Sequence, residues 1–168
     1  MDIAGRILAS LSGYFKSSTD AGDMMLSLPG TLGTFTRTLQ SGTGITLGNC
    51  DTMFGDTRTL NTAAENLDLI GGGLLTPALT TFAPARLKAI MVRCNGATAG
   101  NTVKIGGNVN GVPFLDDVSA AIIVPNGGWI VLVAPGDGWV VTTGTGDIIT
   151  VETNYAGTYD IVLIGATA

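Results

Sequence analysis

The sequence predicts an all-β fold, an antiparallel sandwich or barrel. Three observations carry this expectation. Apolar runs are short and rich in Val, Ile, Trp and Tyr, as in Trp129–Ala134, Asp147–Val151 and Thr158–Ile164, and such residues suit a pleated, packed surface. Turn clusters separate them: Pro135-Gly136-Asp137-Gly138, Gly144-Thr145-Gly146-Asp147 and Asn154-Tyr155-Ala156-Gly157. There Gly and Asn supply positive φ, and Pro cannot serve a central ladder. The 25 glycines of the 168 residues would also break helices of ordinary length.

The N-terminal stretch differs. Ile3, Ile7, Leu11 and Tyr14 recur at intervals of three or four, with Leu8 and Phe15 beside them. That spacing predicts a helical stripe over Asp2–Phe15, weakened by Gly5 and Gly13. A polar stretch, Lys16–Asp23, follows, and Pro29-Gly30 makes a turn. Residues 1–30 therefore read as a short, partly helical N-terminal arm, and 31–168 as the β domain. Ile3, Ile7, Leu8, Leu11, Tyr14 and Phe15 are the candidate contacts of the arm with a neighbouring chain. The alternative is that the stripe folds back on its own domain.

Within the domain, Thr34–Gln40 alternates Phe35 and Leu39 with polar positions and reads as a strand with one wet face. Ser41–Asn49 is loop-like. Asp56–Asn61 and Asn66–Ile70 are short strands about a turn at Thr62–Glu65, and Gly71–Pro77 breaks the pattern. Arg86–Cys94 is the strongest strand of the middle. Its alternation puts Leu87, Ala89 and Met91 on one face and Ile90, Val92 and Cys94 on the other. Both faces are apolar, which places it inside the sandwich, with Arg86, Lys88 and Arg93 near its ends. Thr102–Ile105 and Ala120–Val124 are further strands, and Pro125–Gly128 turns the chain into Trp129. About nine strands at such spacing fit a sandwich or barrel; no longer repeat is evident.

Composition bounds function. The length suits one domain. Charged residues make up 12 % of the chain, about half the usual share. The surface then relies on Thr, Asn, Ser and Gly, or other chains cover it, which favours an assembly component. A net charge of −5 without Lys/Arg clusters excludes phosphate-driven nucleic-acid binding. No apolar run reaches the roughly 18 residues of a membrane span, and the start of the chain lacks the cationic stretch of a secretory signal. Cys50 and Cys94 read as buried free thiols, with a disulfide as the alternative.

Catalytic signatures are missing. No histidine occurs, which removes the commonest general base and the Ser/His and Cys/His pairs. The acids Asp51, Asp56, Asp68, Asp137, Asp147 and Asp160 are isolated and sit mostly at turns, whereas glycosidases need two facing carboxylates. Gly42–Gly48 lacks the dinucleotide-fingerprint spacing, and no P-loop or nucleophile elbow is present. Asp116-Asp117 and Gly136-Asp137-Gly138 read as turn-forming rather than Ca²⁺-binding. Trp129 and Trp139 read as packing residues, with a sugar-stacking platform as the alternative. The expectation is a chain that is not an enzyme and carries no metal or cofactor.

Several stretches carry a likeness to known proteins. They are Phe54–Leu60 with Glu65–Leu69, Thr81–Arg93, Val103–Gly107, Pro125–Trp129 with Ala134–Trp139, and Tyr159–Gly165. Over roughly residues 50–165 the chain resembles small β-rich virion proteins of tailed bacteriophages, of the capsid decoration or cement type. The resemblance implies a jelly-roll-like antiparallel β-sandwich, a homotrimer, and a structural role on the outer shell. The partners would be the major capsid protein and copies of the chain itself, with no nucleic acid and no membrane. The place would be the virion surface after synthesis in the host cytoplasm. The alternative is a tail or head-fibre module that binds a host surface glycan.

Overall fold

The computed structural model describes residues 49–134 and 136–167 in full, and Gly5–Ser10, Tyr14–Thr19, Gly22–Ser27 and Thr34–Ser41 by their backbone. These four segments are strands β1 to β4. β1 pairs with β4 and β2 with β3, both antiparallel. The described part of the stretch expected to be helical is thus extended. Its short apolar clusters fit either period, and the glycines at 5 and 13 remove the helical preference that would decide between them.

The sandwich is built from β5 (Asn49–Cys50), β6 (Thr52–Asn61), β7 (Ala64–Asp68), β8 (Arg86–Cys94), β9 (Thr102–Gly106), β10 (Ala121–Pro125), β11 (Trp129–Val133), β12 (Trp139–Val140), β13 (Ile148–Thr153) and β14 (Ala156–Ala166). One sheet has the order β11-β8-β14-β6, with β12 continuing the β11 edge along β8. The other has the order β10-β9-β13-β7. All pairs in both are antiparallel. β5 meets β4 in parallel and runs into the first sheet, where the Asp51 N–H donates to the Gly165 carbonyl at 3.1 Å.

One core lies between the two sheets. Tyr159, Ile161 and Leu163 of β14 point into it with Ile90 and Val92 of β8; Val103, Ile105, Ile149 and Val151 meet them from the other side. Burying each of these side chains contributes on the order of 1.5–3 kcal/mol. Phe82, from a loop, is completely buried and packs on Phe54 with ring centroids 6.0 Å apart.

Strict alternation fails at one place on β8. The register slips between Ile164 and Gly165, so that Ala89 faces Ile164 but Leu87 faces Gly165. Lys88 is the extra residue of a β-bulge. The bulge inverts the phase: Leu87 joins Ile90 in the core instead of sharing the face of Ala89 and Met91. Lys88 is fully buried rather than exposed at a strand end, and its Nζ donates to the Gly136 carbonyl. Burial pushes its ammonium pKa down, and Asp137 acts in the opposite sense. The loop that supplies Gly136 closes over the bulge only because of Gly138. That residue has φ +72°, and a Cβ there would sit 2.7 Å from the Leu87 carbonyl oxygen.

The strand order gives the sandwich two unlike ends. At one, the links are tight: 62–63, 95–101, 126–128 and 154–155. At the other lie the long loops 69–85, 107–120 and 134–147, the last containing β12. The long loops brace one another. The Leu69 N–H donates to the Asp147 carbonyl at 2.9 Å, the Val112 N–H donates to the Ile148 carbonyl at 2.9 Å, and the Ile148 N–H donates to the Asn110 carbonyl at 3.1 Å. Phe114 meets Trp139 edge-on at 6.3 Å.

Candidate functional site

The densest polar cluster sits near the short-turn end. Arg58 of β6 reaches Glu65 of β7 with Nε–O distances of 2.9 and 3.0 Å, and a further bond runs from Nη2. Its Nη1 binds Asp56 at 2.9 Å. The Tyr159 hydroxyl donates to Glu65 at 2.9 Å. The Arg58 bond holds the Glu65 carboxyl below the usual carboxylate range, while burial and then Glu65 push the Tyr159 phenol up. Asp56 and Glu65 grip one guanidinium, and the cluster clamps sheet to sheet.

The other acids serve the backbone or the strand face. Asp68 Oδ1 accepts the Ile70 and Gly71 N–H groups at 3.0 and 2.7 Å. Asp147 accepts Gly144 N–H at 2.7 Å, and Asp117 accepts both Ser119 donors at 2.6 Å. Asp51 accepts the Thr167 N–H at 2.7 Å. Asp160 accepts from Thr57 and Asn95, each at 2.8 Å. No three His, Cys, Asp or Glu side chains among the described residues converge to hold a metal ion. Cys50 and Cys94 are buried and are not joined by a disulfide. Burial chiefly raises the Cys50 thiol, with Asp51 adding and Lys88 opposing. Cys94 donates to the Tyr155 hydroxyl at 3.7 Å, and burial leads the causes that push Tyr155 up to about 12.

The two tryptophans do not form one platform. Trp129 pairs with Arg93 and Trp139 with Leu87, about 20 Å apart along β8. Trp139 packs against the core. Trp129 belongs to the outer face and is 57 % exposed.

That outer face carries the first candidate interaction surface. Register places Met53, Ile164, Ala89 and Val133 in one row across four strands, and Gly55, Val162, Met91 and Val131 in the next. All eight positions are apolar. The third row, Thr57, Asp160, Arg93 and Trp129, is mostly polar. The face grades from polar near the short turns to apolar near the long loops.

The long loops carry the second. Leu75, Leu79, Val109, Val118 and Val140 are five of the seven large apolar side chains exposed among the described residues. Leu79 is 79 % exposed and has φ +61°, a region costly to residues with a Cβ. Its turn is tightly braced: Leu79 N–H donates to the Thr76 carbonyl and Thr76 N–H to the Thr80 carbonyl, both at 2.8 Å, and the two Thr hydroxyls bond at 2.7 Å. Beside it a groove of about 490 Å³ runs between Gly72–Leu79 and the open edge of β6 at Phe54–Arg58. The loops are not visible as a site in the sequence. Their only signal is large apolar residues standing alone among Gly, Pro, Asn and Thr.

Of the six arm positions proposed from the sequence, Ile3 and Leu11 lie outside the described residues. Ile7 and Leu8 fall on β1, Tyr14 and Phe15 on β2, strands of two separate ladders; their side chains are outside the description. No protein-family profile matches the chain, nor does any curated protein or any solved structure.

Proposed function

We propose that this chain is a structural virion protein of a tailed bacteriophage, of the decoration or cement type. It binds the major capsid protein on the outer shell in many copies and stabilises the shell. The observation that carries the reading is the doubly apolar β-sheet. The sheet β11-β8-β14-β6 buries one face in the core and lines the other with two apolar rows, whose large side chains are partly buried and whose Ala89 is buried, in a chain with 12 % charged residues. Such a face belongs against protein.

The strand order supports the jelly-roll part of the reading. Two four-strand paths, β6-β14-β8-β11 and β7-β13-β9-β10, are linked so that the chain repeatedly crosses between sheets, as in double-sheet jelly rolls. The apolar rows support self-association in a closed ring, for which a homotrimer is the proposed state. The arm, residues 1–30, is the proposed attachment or inter-subunit element. The separation of Trp129 from Trp139 weighs against a glycan platform.

The test is a count. Quantitative mass spectrometry of purified particles should give hundreds of copies per virion; a handful would move the protein to the tail and end the decoration reading. Sedimentation should give a trimer at micromolar concentration. Deleting residues 1–22 should leave a folded sandwich that no longer decorates shells.

A further inference from the structure

We propose that the long-loop end is the surface that docks on the shell, and that its occupant is an apolar protein surface rimmed by basic side chains. The inference rests on the decoration reading and adds to it the face and the chemistry of the contact.

Three observations converge. Most of the exposed large apolar side chains lie on these loops: Leu79 is 79 % and Val109 75 % exposed, Val118 is on the same loop as Val109, Val140 is on β12, and Leu75 stands with Leu79 beside the β6 edge. Scattered singly they would mean little, but the mutual bracing of the loops holds them on one rigid end. Leu79 is kept in a strained conformation by the Thr76–Thr80 brace. A leucine held out this way is a preformed knob that loses little entropy on docking.

Charge then selects the occupant. The loops 69–85, 107–120 and 134–147 contain no Lys or Arg. Their exposed charges are the carboxylates of Asp116, Asp117 and Asp137. Of the cations near these loops, Arg86 stands where β8 begins, Lys88 is buried, and Arg58, which lines the groove beside Leu79, is held by Glu65 and Asp56. An end-to-end contact with a second copy would press carboxylate against carboxylate, and an anionic lipid surface would repel the same groups. A surface with apolar pockets and a Lys/Arg rim fits both features. The apolar rows of the outer sheet face lead toward this end, so subunits joined through that face would present their knobs together, and avidity would multiply weak contacts.

The experiment measures binding of the full-length protein to purified shells assembled without it. Four proteins are compared: wild type, the double variant Leu79→Asn/Val109→Ser, the charge reversal Asp116→Lys/Asp117→Lys, and Thr62→Asn at the opposite end as control. All substituted side chains are exposed, and sedimentation checks that assembly is unchanged. The inference expects the double variant to bind at least about tenfold more weakly. It expects the charge reversal to weaken binding and to abolish its salt dependence, and the control to match wild type. If wild type binds and both long-loop variants bind equally well, the inference is overturned while the decoration reading stands. If wild type itself does not bind, the decoration reading fails and takes the inference with it. Binding of wild type to anionic vesicles or self-association through this end, each lost in the double variant, would assign the surface to a different occupant and also overturn it.

Discussion

The two ends of the sandwich solve the same problem with opposite means. At the short-turn end the chain reverses within a few residues, and Arg58, Glu65, Asp56 and Tyr159 clamp the sheets with charge. At the long-loop end the links lack basic residues, and they are held by backbone bonds and ring contacts. Each end holds one non-glycine residue with positive φ, Thr62 at 57° and Leu79 at 61°. The Thr62 hydroxyl donates to the Asn61 carbonyl at 2.6 Å, whereas Leu79 leaves an isobutyl group exposed. The difference teaches that the same backbone strain serves unlike ends, closing a two-residue turn at one and holding an apolar side chain out from the surface at the other.

Matched substitutions test how differently the ends are built. The largest effect is expected for Gly138→Ala. Both Gly138 and Gly127, at the short-turn end, have positive φ, but a Cβ on Gly138 meets the Leu87 carbonyl at 2.7 Å whereas one on Gly127 meets nothing within 4 Å. Gly127→Ala should cost about 1 kcal/mol, and Gly138→Ala about 3 kcal/mol, since backbone must also move. Urea unfolding measures both; equal losses would mean that the 134–138 loop does not rest on the β8 bulge.

The clamp comes next. Glu65→Gln leaves Arg58 with Asp56 as its one carboxylate in the cluster and should cost about 2 kcal/mol at neutral pH, the Arg58–Glu65 pair being only partly exposed. The sign with pH follows from the lowered folded pKa of Glu65. Its contribution is complete above the unfolded value of about 4.3 and is lost as pH falls through the folded value. Wild type should therefore lose stability on acidification more steeply than the variant, and parallel curves would remove the clamp from the account.

The smallest effect is a gain. Asn tolerates the left-handed region, so Thr62→Asn and Leu79→Asn should each stabilise the fold by about 0.5–1 kcal/mol, raising the melting temperature by about 2–4 °C per kcal/mol. Calorimetry that finds a gain at one end and a loss at the other would show that one of the two turns is not strained.

The sequence made the strands legible wherever composition and turn chemistry agreed. Arg86–Cys94 is both the predicted and the observed strand, and Trp129, Ile148 and Ala156 start strands within three residues of expectation. Phase was less legible. A bulge adds one residue, and nothing in Arg86-Leu87-Lys88 announces it; Lys88 reads as a surface cation and is buried. Phe82 is fully buried from a loop flanked by Thr and Pro, where no periodicity exists to predict a core residue. The candidate site was hidden for a related reason. Exposed Leu79 and Val109 differ from buried Leu74 and Val112 only in position, and loop position is fixed by packing that no local pattern encodes.

The place of β14 in its sheet governs the order in which the protein can be made. Thr52 lies opposite Gly165, and β14 separates β6 from β8. During translation β6 and β8 emerge long before the strand that joins them. At roughly 5–20 residues per second, β6 waits on the order of 5–20 s for β14, its one ladder partner among the described residues. Pairing over such sequence separation is slow, and until it forms the ribosome carries two unmatched strand edges with apolar side chains. Halted chains that lack β14 have no first sheet to finish and should be cleared by proteases, so that only complete copies persist.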